Sequence, residues 1–284
     1  MPTFSISLSL IALCALSLSP LPATERATQS NFASGQLLSI ATKEEQIYKR
    51  LAEDPEFYND VDLERQLQTL IESYKAYLTT HPEDVDALIL YGKLLRRVQA
   101  NDAAFNAFLK ADELDPNIAV VKQQIGTHLA EQGKGKAALP FYIQAIDLEK
   151  NTAIYHFALG QLLAAFKADF VADEVFTVDA IERETLKAFR QAAQLEPENF
   201  NFQMRLGEAY YDLNSPNWEA ALIHWNKLSK QMDDTLSREI VNLHRARVLG
   251  KLGRKKEALV LTGNIQTPGL QVSRKKVMNE LLTY

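Results

Sequence analysis

The chain has 284 residues, of which 46% are hydrophobic and 24% charged, with a formal net charge of −5. That composition supplies enough apolar surface for a large buried core and excludes a disordered or fibrous chain. A sequence pI near 5.6 argues against general affinity for nucleic acid.

In chain order, the first 23 residues carry no charged side chain, and Phe4 to Leu21 is mostly Leu, Ile, Ala and Ser. This segment reads as an export signal cleaved after Ala23, which places the rest of the chain in the periplasm or another exported compartment. The alternative is an uncleaved anchor tying the protein to the membrane through its N-terminal segment, although Pro20 and the serines make a poor spanning helix. Cys14 is the only cysteine. Leu13 precedes it where a lipid-modification motif wants Gly or Ala. Once the segment is removed, disulfides, zinc–thiolate sites and cysteine nucleophiles are excluded together. Residues 24–42 are small and polar without sustained periodicity and read as a flexible linker. Residues 43–84 read as a capping hairpin: one helix from Lys43 to Asp54-Pro55, and a second from about Asp62 to Thr80 with Leu63, Leu67, Leu70, Ile71, Tyr74 and Leu78 on one face.

From residue 85 to 270 a single spacing repeats. Gly92, Gly126, Gly160 and Gly207 each follow by ten residues a fixed point at Pro82, Pro116, Lys150 or Pro197. The glycine intervals are 34, 34 and 47 residues, the last being one period plus an insertion of 13. A large apolar residue precedes each glycine and another follows three residues later, as in Tyr91-Gly92-Leu95 and Leu206-Gly207-Tyr210. Second helices carry Ala104, Phe108 and Ala111, then Ala138, Tyr142 and Ala145, then Phe189 and Ala192. Without a Cβ, the glycine lets the first helix lie close to the second helix of its own hairpin, while the aromatic fills the wedge between hairpins. The fourth unit carries an extra residue near Ser215-Pro216. A fifth reads Ala246, Leu249, Gly253-Arg254 and Glu257-Ala258-Leu259, and residues 271–284 form a C-terminal helix. The insertion, near 167–180, with its Phe170, Val171, Val175, Phe176 and Val178, either docks a partner or makes a subunit contact, or else lengthens both helices or folds back over the hairpin tip and buries its own apolar residues; the second pair is the simpler expectation.

This pattern resembles the tetratricopeptide repeat family, over roughly residues 62–265. The family's early tryptophan is Leu88, Lys122, His156 and Gln203 here, and Lys150 replaces one proline. The resemblance implies an all-α fold, an α-solenoid of about five stacked helical hairpins in a superhelix behind an N-terminal leader. It further implies that first helices line a concave groove, with positions three before and one or four after the glycine facing inward. Those positions, with Arg97 beside them, give the candidate partner-binding residues Ile89, Lys93, Arg96, Arg97, Gln123, Thr127, Phe157, Gln161, Met204, Glu208 and Tyr211. The groove would combine an apolar centre with a basic patch at Lys93, Arg96 and Arg97, suiting a peptide with apolar anchors and an acidic neighbour. The family's carboxylate clamp uses Asn and Lys, whereas Lys93, Thr127 and Gln161 stand here without Asn.

Chemistry is absent from the pattern. His81, His128, His156, His224 and His244 lack metal-ligand spacing, and no phosphate loop, nucleophile elbow or HExxH occurs. The expectation is therefore a non-enzymatic scaffold of an exported protein, without metal or cofactor, holding a protein or peptide partner. An accessory or chaperone-like factor for envelope-protein maturation is the alternative. Residues 43–116 hold 9 Lys/Arg against 16 Asp/Glu, and residues 239–284 hold 9 against 3. These charges either solvate helix faces or support a third reading, head-to-tail self-association.

Overall fold

The computed structural model describes residues 33–283, which form 14 α-helices and two short 3-10 turns without a strand. The expected export signal lies outside the described residues. Among the described residues no helix is long and apolar enough to cross a membrane. The first helix, α1 (Ala33–Glu53), begins earlier than expected, so residues 33–42 are helix rather than linker. Leu37, Ile40 and Ile47 recur at helical spacing and are buried, which the polar residues between them conceal in the sequence.

The described residues divide into two compact units at Lys134 and Gly135. The first holds α1, α2 (Asp60–Thr80), α3 (Val85–Arg97), α4 (Asn101–Leu114) and α5 (Ala119–Glu131). The second holds α6 (Gly135–Leu148), α7 (Ala153–Ala165), α8 (Lys167–Ala172), α9 (Val178–Leu195), α10 (Phe200–Ala209), α11 (Trp218–Gln231), α12 (Thr235–Lys251), α13 (Lys255–Gly263) and α14 (Gln271–Leu282). Within the units, α1 packs on α2, α3 on α4, α7 on α9, and α12 on α11 and α13. Polar residues start many helices: Asn59, Asp84, Thr177, Asn199, Asn217 and Asp234 each accept an N–H from the first turn of the helix they precede.

The spaced glycines are contact points inside hairpins. A Cβ on Gly92 would stand 2.8 Å from Phe108 Cε1 on α4, and one on Gly160 would stand 2.7 Å from Phe189 Cε1 on α9. Trp225 on α11 covers Gly207 in the same way. Each ring is fully buried. The aromatic therefore seats on its own hairpin's glycine rather than filling a wedge between hairpins. In the fourth hairpin the ring comes 18 residues after the glycine instead of 16, so the loop carries two extra residues, not one. A 3-10 turn at Tyr210–Asp212 takes up the difference.

The insertion buries only Phe170 of its expected apolar set: Val171, Phe176 and Val178 are half-buried and Val175 is exposed. Short helix α8 and the turn after it place Phe170 in full burial, edge-on to Phe176 with ring centroids 5.7 Å apart. Phe166, the residue before α8, covers Gly135 at the start of α6, where a Cβ would collide with its ring. Lys167 pairs with Glu182 on α9 and donates to the Asp212 carbonyl, and Glu182 accepts the Asn214 N–H. The inserted residues thus hold α9 to the loop after α10.

Farther along, the buried Glu239 of α12 accepts the N–H groups of Gln266 at 2.9 Å and Thr267 at 2.8 Å. Burial pushes its carboxyl pKa upward, but the two donors outweigh burial and hold it below the usual glutamate value. Glu239→Ala is expected to cost about 2–4 kcal/mol by orphaning both donors, read as a lower urea midpoint. Because the folded pKa is depressed, Glu239 stabilises above its ordinary value of 4.5, and that stabilisation is lost as pH falls through the folded value. A pH-independent deficit in the variant would refute the assignment.

Candidate functional site

Each unit presents its own set of the candidate residues. In the first unit, Ile89 is buried in the body of α3 and offers no contact surface. The expected open basic patch is already neutralised. Arg97 pairs with Glu44 of α1 at 2.7 Å, and its guanidinium lies 4.3 Å over the Tyr48 ring. Glu44 takes a second hydrogen bond from the Tyr74 hydroxyl at 2.9 Å. Burial raises the Glu44 pKa despite the attraction of Arg97, and burial together with Arg97's charge lowers that of Lys93. Arg96 is held bidentately by Glu131 at 2.6 and 2.7 Å. Gln123 and Thr127 bond to one another at 3.0 Å within α5.

These contacts change the expected ligand chemistry for this unit, since Arg96 and Arg97 have acidic partners within the chain. Glu44→Ala is expected to lower the thermal midpoint by several degrees, because Arg97 and the Tyr74 hydroxyl lose their common acceptor and Lys93 loses the nearby negative charge. An unchanged midpoint would show that Glu44 contributes nothing net.

The second unit keeps a more open face. Gln161 on α7 is exposed, while Met204 and Glu208 on α10 and Tyr211 in the following turn are half-buried. Phe157 is less available: its ring packs 4.6 Å from Phe202 and 5.7 Å from Phe189, in a cluster built on α9 and α10. It supports the face more than it presents one. Tyr211 leans against Trp218 at 5.7 Å, and its hydroxyl lies 3.3 Å from both Nδ1 and the carbonyl of His244. Burial raises the Tyr211 pKa. Burial, reinforced by the charge of Arg247, lowers that of His244 to about 4. Both groups are neutral at pH 7.

Arg247 is the residue that sequence reasoning missed. It stands one residue after Ala246, as Lys93, Thr127, Gln161 and Glu208 stand one residue after their glycines. The fifth hairpin has alanine where the others have glycine, so the glycine spacing does not mark Arg247. The ring position is altered to match: 16 residues after Ala246 comes the fully buried Thr262, where the first hairpin has Phe108. Ala246 and Thr262, both fully buried, thus stand at the positions of Gly92 and Phe108. Arg247 is paired with Glu280 of α14 at 3.0 Å. The face of the second unit thus sets a polar row of Gln161, Glu208 and Arg247 beside an apolar row of Met204 and Tyr211. Such a surface can hydrogen-bond a peptide backbone and seat apolar side chains. Among the described residues no group of three or more His, Cys, Asp or Glu could hold a metal ion.

No protein-family model and no curated protein matches the sequence. Among solved structures the chain is similar to PilW, a type IV pilus biogenesis factor, with a TM-score of 0.57 at 12% identity, over 83% of this chain and 98% of that one. It is similar to PilF of Pseudomonas aeruginosa, with a TM-score of 0.56 at 13% identity, over 80% and 90% of the two chains. YrrB, described as a TPR protein with an unusual peptide-binding site, aligns at a TM-score of 0.46 and 20% identity, over 68% and 95%. At such identities the likeness to PilW and PilF is one of fold.

Proposed function

We propose that this chain, which has the tetratricopeptide-repeat fold, is a non-enzymatic interaction scaffold that holds a peptide segment or partner subunit on the first-helix face of its second unit. The observation that supports this reading is the pair of rows there, Met204 and Tyr211 beside Gln161, Glu208 and Arg247, on the first helices of successive hairpins. The partner's anchors are apolar side chains, and its backbone or polar groups meet the outer row. An acidic segment is not required, because Arg96, Arg97 and Arg247 already face Glu131, Glu44 and Glu280. In this reading residues 1–23 direct the chain out of the cytoplasm, and the scaffold serves an envelope assembly.

The test is crosslinking capture from the envelope fraction with the pair Met204→Ala and Glu208→Arg. Capture of the partner is expected to fall by about tenfold or more, with helical circular dichroism unchanged. Unchanged capture would reject this face. Intact mass of the secreted protein tests the export reading, with the mature chain expected to begin at Thr24.

A further inference from the structure

The helix α14 is two-faced in an unusual way. Val277 and Leu281, four residues apart, are fully buried in the core built by α11, α12 and α13. The opposite face carries Val272 and Leu282, exposed to 83% and 73%, the largest values for any large aliphatic side chain among the described residues. Lys275 and Lys276 lie exposed between them, along the stripe 272, 275/276, 279 and 282 that helical periodicity places on one side. The only acidic residue of this helix, Glu280, is turned to Arg247. The face is therefore cationic, apolar at both ends, and uncovered by any described element.

A complementary face exists on the same chain. On α2, Val61 is 67% exposed, and Glu64 and Gln68 follow it at offsets of three and seven residues, as Lys275 and Asn279 follow Val272, with Glu72 one turn further on. Val61, Glu64, Arg65, Gln68, Thr69, Glu72, Ser73 and Ala76 line a shallow furrow along this helix, where Arg65 pairs with Asp62 at 2.7 Å and Lys75 with Glu72 at 3.0 Å. One stripe places a carboxylate, Glu64, one helical turn after an exposed valine; the other places an ammonium group, Lys275, one turn after an exposed valine. Pairing them buries the aliphatics and sets unlike charges opposite each other.

We infer that the exposed face of α14 docks on the α2 face of a second copy of this chain. The two faces differ, so the contact is heterologous, and each copy keeps one face of each kind free for the next. One helix laid on another is a small interface, below the area of stable complexes, so the association is concentration-dependent and dynamic.

The test is sedimentation velocity of the full chain over a range of concentrations. The weight-average mass is expected to rise above the 32.0 kDa monomer as concentration increases, and to return toward it when salt is raised to about 0.5 M. Lys275→Glu with Lys276→Glu is expected to abolish the rise, as is Glu64→Lys with Glu72→Lys. All four side chains are exposed, so circular dichroism should stay unchanged. Mixing the two variants restores association, since the reversed faces complement each other. A monomer at every concentration overturns the proposal, as does association indifferent to both charge reversals. Binding to phosphatidylglycerol vesicles that depends on Lys275 and Lys276, without self-association, also overturns it and assigns the face to an anionic membrane.

Discussion

Gly207→Ala is expected to destabilise the second unit by about 3 kcal/mol, near the top of the usual range for overpacking. An alanine Cβ would enter the ring of Trp225, and that ring has nowhere to go. It is fully buried, stacked on His244 at 4.4 Å and met edge-on by His224 at 5.3 Å. Gly160→Ala should behave alike but more mildly, because the Cβ meets Phe189 at 2.7 Å, with Arg205 at 4.4 Å over the ring. Gly35 provides the control: it lies in α1 with nothing within 4 Å of a Cβ, so alanine should stabilise by about 0.5–1 kcal/mol through helix propensity. At roughly 2–4 °C per kcal/mol, calorimetry resolves the three variants in opposite directions. Equal midpoints for Gly207→Ala and Gly35→Ala would refute the packing role. The register argument adds a reciprocal case: Thr262→Phe alone should be destabilising, and Ala246→Gly should relieve part of that loss.

Acid should weaken the second unit from about pH 6.5 downward through its buried histidines. The His244 pKa falls from 6.5 to about 4 in the folded chain, through burial first and the charge of Arg247 second. A depressed histidine pKa favours the neutral ring in the fold. As pH drops below 6.5, the unfolded chain takes up a proton that the folded chain refuses. Stability therefore declines between pH 6.5 and 4, by about 3 kcal/mol in all. His224 is shifted the same way by burial and adds to the slope. His244→Phe keeps a ring against Trp225 but removes the titration. Its urea midpoint should change less between pH 7 and pH 5 than that of the wild type. Parallel pH curves for the two proteins would sink this account.

The repeat architecture was legible because one physical constraint recurs: a helix can approach a buried ring only where it lacks a Cβ. Gly92, Gly160 and Gly207 announce that constraint at fixed spacing. What lay hidden was where the constraint is met with other residues. Ala246 with Thr262 solves it by shrinking the ring, so Arg247 escaped notice. Trp225 solves it two residues late, after a 3-10 turn that no short motif predicts. The start of α1 was hidden because Leu37, Ile40 and Ile47 are too sparse to outweigh the polar residues around them. The candidate face was harder still. Offsets from a glycine place a residue on a helix side but do not say whether another helix supplies its counter-charge. Glu44 precedes Arg97 by 53 residues, and only the fold of the first unit brings them together.

The position of the indole rings has a practical consequence for observing this molecule. The chain has two tryptophans, Trp218 and Trp225, and both lie on α11. Intrinsic tryptophan emission therefore originates wholly in residues 135–284, and the first unit is dark at that wavelength. Far-ultraviolet circular dichroism reads the helices of both. Superimposable transitions from the two signals would mean that the units melt as one cooperative block, while separated transitions would give each its own stability without cutting the chain. The stacking of His244 on Trp225 adds a pH indicator to the same signal, since an imidazolium quenches an indole that it touches.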